Sequence, residues 1–277
     1  MIDFKPKHIV FLTGAGISAE SGIKTFRDSN GLWENHDILE VASPSGFDRN
    51  PELVHRFYNL RRTQLLSDEV HPNEAHKALA KLQKEYSGKV TIITQNVDNL
   101  HEEAGSEDVI HMHGELIKMR CKESGKVLTK KGDIQPDDKC PCCLKVGNLR
   151  PNIVWFGEYP MHMDRIEKEL NSCDLFISIG TSGQVYPAAM FVNLVKLNGT
   201  YTIEANIEET NVSDNFDEHG LPKGFYDYVK KILRNDAANQ LRLALLTNKE
   251  VYALIQDLES TLQHGYWHTY KKKRDIE

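Results

Sequence analysis

His8-Ile-Val-Phe-Leu-Thr-Gly-Ala-Gly-Ile-Ser-Ala-Glu-Ser-Gly22 decides the fold. Its first half is a short apolar run of β-branched and aromatic residues, too short for a typical helix and suited to a buried parallel strand. Its second half is a glycine-rich turn. Glycines just after a strand let the backbone approach a pyrophosphate, and a following helix N-terminus stabilises the charge. The spacing is G-x-G-x5-G rather than G-x-G-x-x-G. The glycines alone are therefore a weak signal, with a plain structural turn as the alternative.

Three other runs read the same way: Lys89–Thr94, Asp174–Ile179 and Gly199–Glu204. The four runs end in small or polar residues, at Thr13-Gly-Ala-Gly16, Gln95-Asn-Val-Asp98, Gly180-Thr-Ser182 and Ala205-Asn206. Ligands of open α/β sheets bind beyond the carboxyl ends of the strands, so these ends point to one convergent site. Helical segments separate the runs. Residues 51–66 begin with Pro51 and space Leu53, Phe57, Leu60 and Leu65 helically, residues 73–86 follow Pro72, and residues 186–198 form a third. The β-α-β-α order predicts an α/β fold with a Rossmann-like, doubly wound parallel sheet.

Two insertions interrupt that order. Residues 31–72 read as a helical insertion, and residues 111–156, rich in Cys and Pro, as a small metal-stapled module. This leaves 1–30, 73–110 and 157–234 for the discontinuous sheet domain. Residues 235–277 form a helical C-terminal extension, whose Leu241, Leu245, Ala253, Leu254, Leu258 and Leu262 make an apolar face for docking on the body or for self-association.

The chain has 277 residues, 40% hydrophobic and 27% charged, with a formal net charge of −6. That balance excludes a mainly disordered, collagen-like or coiled-coil protein. The acidity argues against a nucleic-acid partner, and Lys271–Arg274 reads as a solvated run. No run reaches the ~18 apolar residues of a membrane span. The N-terminus lacks the features of a signal peptide, so the expected location is cytoplasmic.

Four of five cysteines cluster: Cys121, Cys140, Cys142 and Cys143. In a reducing compartment, clustering suggests metal rather than disulfide. Cys140-Pro-Cys-Cys143 supplies a C-x2-C pair, but Ser124 stands three residues after Cys121, and Ser is a poor zinc ligand. Cys121, Cys140 and Cys143 are the candidate ligands of a structural Zn2+, with Cys142 available as a fourth. A weakened or empty site is the alternative. Cys173 reads as core.

Tyr58-Asn-Leu-Arg61 places Tyr58 and Arg61 on one helix face. A guanidinium grips a carboxylate bidentately and a phenol adds a hydrogen bond, so the pair suits a ligand ending in a carboxylate. The plain alternative is an exposed Tyr and Arg that share a face by chance.

The longer string Gly14-Ala-Gly-Ile-Ser-Ala-Glu-Ser-Gly-Ile-Lys-Thr-Phe-Arg27 closely resembles the opening signature of the sirtuins, the NAD-dependent protein-lysine deacylases. Thr94-Gln-Asn-Val-Asp-Asn-Leu-His101 and His111-Met-His-Gly-Glu115 resemble their second and third signatures, and Val154-Trp-Phe-Gly-Glu158, Gly180-Thr-Ser182 and Asn206-Ile-Glu208 resemble three more. The blocks occur in family order over roughly residues 8–233. The likeness is to the class III, bacterial CobB type, which shares the departure from four paired cysteines.

The resemblance implies transfer of a lysine acyl group to NAD. The acyl oxygen attacks the anomeric carbon as nicotinamide leaves. A base then activates a ribose hydroxyl, which attacks the alkylimidate carbon. Water finally releases lysine and O-acyl-ADP-ribose. His113 is the implied base, and its imidazole titrates near neutrality. His111 reads as structural. Asn96 serves the ribose and attacking water, Gln95 the ribose, and Asp98 with the Ile17 backbone the carboxamide.

Cofactor contacts are further implied from Gly14, Ala15, Gly16 and Glu20, and from Thr25, Phe26, Arg27 and Trp33. Gly180, Thr181, Ser182, Asn206, Ile207 and Glu208 complete that set. Lys24 stands where the family usually has Pro, which bears on loop stiffness. The substrate set is Ala42, which widens the acyl pocket, Tyr58 and Arg61, with Val154, Phe156 and Gly157 beside the bound peptide. Expected partners are acetyl-, succinyl- and malonyl-lysines of proteins. The alternatives are mono-ADP-ribosyl transfer or NAD glycohydrolysis, and a non-catalytic NAD- or ADP-ribose-binding module.

Overall fold

The computed structural model describes residues 6–23, 36–130, 132–206 and 209–219. β1 (His8–Thr13) runs into a 3-10 turn over Ala15–Ser21, followed by α1 (Ile38–Val41), α2 (Pro44–Arg49), α3 (Pro51–Leu65) and α4 (Glu74–Glu85). Next come β2 (Lys89–Thr94), α5 (Leu100–Glu103), β3 (Val109–His111), β4 (Gly114–Cys121), β5 (Val127–Thr129) and β6 (Leu149–Ile153). The last are α6 (Met163–Ser172), β7 (Leu175–Ile179), α7 (Phe191–Leu197), β8 (Tyr201–Ala205) and β9 (Glu218–His219).

Six strands form one parallel sheet in the order β3-β2-β1-β7-β8-β9. β1 is buried along its whole length between β2 and β7. One sheet face packs Ile9, Phe11 and Ile92 against Ala78, Leu79 and Leu82 of α4. The other packs Val10, Leu12 and Phe176 against Ile166 and Leu170 of α6 and Val192 and Val195 of α7. Helices therefore cover both faces, which is why the strands are continuously apolar rather than alternating.

Four strands are apparent in the sequence and two are not. β3 and β9 have three and two residues, too few to carry a period of their own. Asp174, expected as the first residue of its strand, lies just before β7, and its carboxylate accepts the main-chain N–H of Lys7 (2.7 Å) and of His8 (2.9 Å). The helix expected over 186–198 divides into a 3-10 turn at Ala188–Met190 and α7.

Helix α3 starts where Pro51 predicts, with the Asn50 side chain accepting the Leu53 N–H. It is bolted to the second, antiparallel sheet, whose order is β5-β4-β6. The Arg62 guanidinium donates to the Leu116 carbonyl (3.0 and 2.8 Å) and the Gly132 carbonyl (2.7 Å). Asn59 exchanges two hydrogen bonds with the Ile134 backbone, each 2.9 Å.

Candidate active site

The strand order reverses at β1, where β2 lies on one side and β7 on the other. A crevice opens beyond the carboxyl ends of such strands. Here the loops after β1 and β7 pack directly on each other. The Gly14 N–H donates to the Ile179 carbonyl (3.0 Å) and the Gly16 N–H to the Gly180 carbonyl (2.9 Å). A Cβ on Gly16 would stand 2.7 Å from the Gly180 Cα, and one on Gly180, whose φ is +62°, would stand 2.5 Å from the Ile17 nitrogen. The glycines are needed for this loop-to-loop contact. The segment after them is a 3-10 turn, where the sequence suggested an ordinary helix.

The β2 end supplies the polar groups. Both hydrogens of the buried Asn96 amide are spent, on the Gly14 carbonyl (3.1 Å) and the Ser18 hydroxyl (3.0 Å). Its Oδ1 is thereby turned into the acceptor that the side chain offers a ligand. Ser18 in turn donates to Asp98 (3.0 Å), which also accepts the Leu100 N–H (3.2 Å). Burial raises the Asp98 pKa despite those bonds. Such a carboxyl suits a buried amide partner. Ile17 is buried beside this group, Ala15 and Gln95 are half-buried, and Glu20 is exposed.

His113 lies at the corner between β3 and β4. Gly114 allows that corner: its φ is +85° and a Cβ there would collide with the Asn152 carbonyl. A carbonyl only accepts, so the 3.0 Å contact from His113 Nδ1 to the Gln95 oxygen fixes the proton on Nδ1. Nε2 is left as a lone-pair acceptor. Burial lowers the His113 pKa, opposed by that hydrogen bond. His111 behaves differently. Burial disfavours its charge, but Glu102 Oε1 at 2.7 Å and the nearby Glu115 raise its pKa overall.

The remaining strand ends close the crevice. Thr181 is buried with its hydroxyl 2.9 Å from that of Ser178, and its carbonyl accepts the Asn206 side-chain amide (2.7 Å). Ser182 accepts the Gln184 N–H (3.3 Å). Thr25, Phe26, Arg27, Trp33, Ile207, Glu208 and the 235–277 extension lie outside the described residues.

A second group of candidates comes from α3 and the segment after β6. Ala42, Tyr58 and Arg61 are all buried, contrary to an exposed chance pairing. The Arg61 guanidinium lies 3.3 Å from the centroid of the Phe57 ring and donates to the Phe57 carbonyl (2.8 Å). Burial pushes the Tyr58 phenol above its usual pKa, so it stays protonated. The Val154 N–H donates to the His113 carbonyl (2.9 Å) and the Phe156 N–H to the Ala42 carbonyl (2.9 Å). Ala42 and the candidate base His113 are therefore tied to one hydrogen-bonded segment, on which Phe156 and Gly157 are exposed.

The Sir2 family profile matches residues 14–187 of this chain. The chain belongs to the Sir2 family. It is 59% identical over 214 residues to the NAD-dependent protein deacylase of Pasteurella multocida (strain Pm70), covering 77% of this chain and 92% of that one. It is 58% identical over 240 residues to the protein of the same name from Escherichia coli (strain K12), covering 86% of each. Among solved structures, a Sir2 homologue mutant with ADP ribose aligns with a TM-score of 0.75 and 36% identity over 92% of this chain and 94% of that one. A Sir2 homologue–NAD complex aligns with a TM-score of 0.71 and 38% identity over 87% and 91%.

The polar groups of this Sir2 chain fit NAD: Asn96 Oδ1 and His113 Nε2 are acceptors for hydroxyls, and Asp98 is a buried partner for a carboxamide. Zinc is fitted by the cysteines. All four Sγ atoms of Cys121, Cys140, Cys142 and Cys143 lie within 4.8 Å of one another. Cys121 and Cys143 are 3.7 Å apart, close to the ~3.8 Å edge of a tetrahedron with Zn–S bonds near 2.3 Å. Hydrogen bonds from Ser124 lower the Cys121 thiol to about 6, toward the thiolate a metal takes. Cys142 Sγ sits 3.3 Å from Ser124 Oγ, in the neighbourhood left by the missing cysteine. Cys173 is buried away from this cluster, and burial raises its thiol to about 11.

Sequence reasoning missed Ser18, Trp155, Arg150 and Glu158. Ser18 lay inside a quoted loop, and Trp155 between two substrate candidates. The pairing of Arg150 and Arg120 with Glu158, at 2.6 and 3.0 Å, leaves no local pattern.

Proposed function

We propose that this chain is an NAD-dependent protein-lysine deacylase acting on succinyl- and malonyl-lysine and also on acetyl-lysine. The observation that carries the reading is the His113 tautomer: Nδ1 is bound to the Gln95 carbonyl and Nε2 is left to take a proton. NAD supplies an activated anomeric carbon and ribose hydroxyls when bound. This chain's residues do the rest. Asn96 Oδ1 orients a hydroxyl or water, Asp98 holds an amide, and His113 Nε2 accepts a hydroxyl proton. Arg61 and Tyr58 receive the carboxylate at the end of the acyl chain, and Ala42 leaves room for it. The peptide runs beside Val154, Phe156 and Gly157 and pairs through its backbone, which favours broad target choice. Cys121, Cys140, Cys142 and Cys143 hold a structural zinc that staples β4 to the turn at Cys140–Leu144. The five cysteines form no disulfide, which accords with a cytoplasmic location.

The test is incubation with NAD and a succinyl-lysine peptide, analysed by mass spectrometry. Free lysine peptide with O-succinyl-ADP-ribose is expected. ADP-ribosylated protein, or binding without turnover, overturns the reading.

A further inference from the structure

The Trp155 indole N–H donates to the Tyr58 hydroxyl oxygen at 3.0 Å, and both side chains are buried. An indole nitrogen only donates, so Tyr58 is the acceptor in this bond. The phenol proton must then point elsewhere. Among the described residues no acceptor takes it. A buried hydroxyl proton without an acceptor is rare in folded proteins and marks a place for an incoming acceptor. Accepting one hydrogen bond also polarises the phenol and strengthens the one it donates.

Trp155 is itself fixed on three sides. The Arg150 guanidinium lies 3.3 Å from its ring centroid. Its main-chain N–H donates to Glu158 Oε2 (2.9 Å), and that carboxylate is held by Arg150 and Arg120. The next residue, Phe156, is tied through its N–H to Ala42. The indole N–H therefore has one direction available, toward Tyr58.

We propose that Trp155 is a positioning residue for acyl selection: by donating to the Tyr58 oxygen it commits the Tyr58 proton to the carboxylate of a dicarboxylic acyl chain. This rests on the carboxylate reading of Tyr58 and Arg61. An acetyl group ends in a methyl and cannot accept that proton, so removing the Trp155 N–H weakens succinyl-lysine recognition selectively.

The experiment uses the full chain, NAD, and one peptide sequence carrying either succinyl- or acetyl-lysine. Variants are Trp155→Phe, Tyr58→Phe, the double variant and Arg61→Met. Trp155→Phe is expected to lower the succinyl-to-acetyl ratio of kcat/KM by about tenfold, mainly through the succinyl KM. In the Tyr58→Phe background it is expected to change that ratio by less than about twofold, because the two groups act as one unit. A ratio that Trp155→Phe leaves unmoved while Arg61→Met collapses it overturns the Trp155 assignment and spares the carboxylate reading. Additive effects of the two aromatic variants do the same. A ratio that Arg61→Met also leaves unmoved overturns the carboxylate reading, and this inference with it. Should Trp155→Phe not fold, 15N spectra of the wild type decide. The Trp155 indole signal should move when a succinyl-lysine peptide binds and stay when the acetyl peptide binds; equal movement overturns the proposal.

Discussion

A single main-chain oxygen, that of Gln95, decides which nitrogen of His113 is basic. Burial keeps this imidazole neutral below its ordinary pKa of 6.5. The proposed base is thus in its working form at neutral pH, and protonation removes it only on the acid side. The acid limb of a kcat/KM–pH profile should fall below pH 6.5; a limb near pH 7.5 contradicts this assignment. His113→Ala should cost on the order of 10²–10⁴ in kcat while NAD still binds by calorimetry. Arg61→Met should reduce the preference for succinyl over acetyl peptide by about 2–5 kcal/mol, since a buried charge partner is removed. At this scale the sequence is informative where candidates sit in a contiguous block, as His113, Asn96, Asp98, Tyr58 and Arg61 do. It gives no sign of the contacts of Trp155 and Glu158, because their partners Tyr58, Arg150 and Arg120 come from other elements.

Strand β1 and its loop were readable as an element because the apolar run and the glycines are adjacent. What the glycines do was less readable. Their tight contact is with the loop after β7, so Gly180→Ala forces a strained φ and a collision with the Ile17 nitrogen. That variant should lose NAD affinity by about tenfold or more and several degrees in Tm, read by calorimetry and thermal unfolding. The cysteine module makes a similar point. C-x2-C spacing identified Cys140 and Cys143, but only the folded turn brings Cys142 to 3.2 Å from Cys140 and near Ser124. Cys142→Ser should drop bound zinc well below one per chain by metal analysis, whereas Cys173→Ser should leave it unchanged. Equal zinc in both variants excludes Cys142 as a ligand. The short strands β3 and β9 were invisible because they exist only as edges added to a sheet built by others.

Across the molecule, buried neutral histidines contribute to the response to acid. Burial lowers His76 to about 3 and His101 well below 6.5. Unfolded, both take up protons as the pH falls past about 6.5. Between that value and the folded pKa values the unfolded chain binds more protons. Stability is therefore complete above about pH 6.5 and drains as pH falls toward the folded values, by up to about 2.7 kcal/mol per pH unit for the pair. The urea midpoint should decline steadily from about pH 6.5 to 4.5, and a flat midpoint would refute the assignment. The sheet order, by contrast, has no counterpart in local sequence: β1 lies between β2 and β7, and most of the described chain separates its loop from that of β7. The consequence is one of timing. A nascent chain that has delivered β1 and β2 carries the glycine loop with nothing beneath it until β7 emerges. Any ligand that needs both loops can then stabilise only chains synthesised past that point, so its binding would follow the assembly of the sheet rather than seed it.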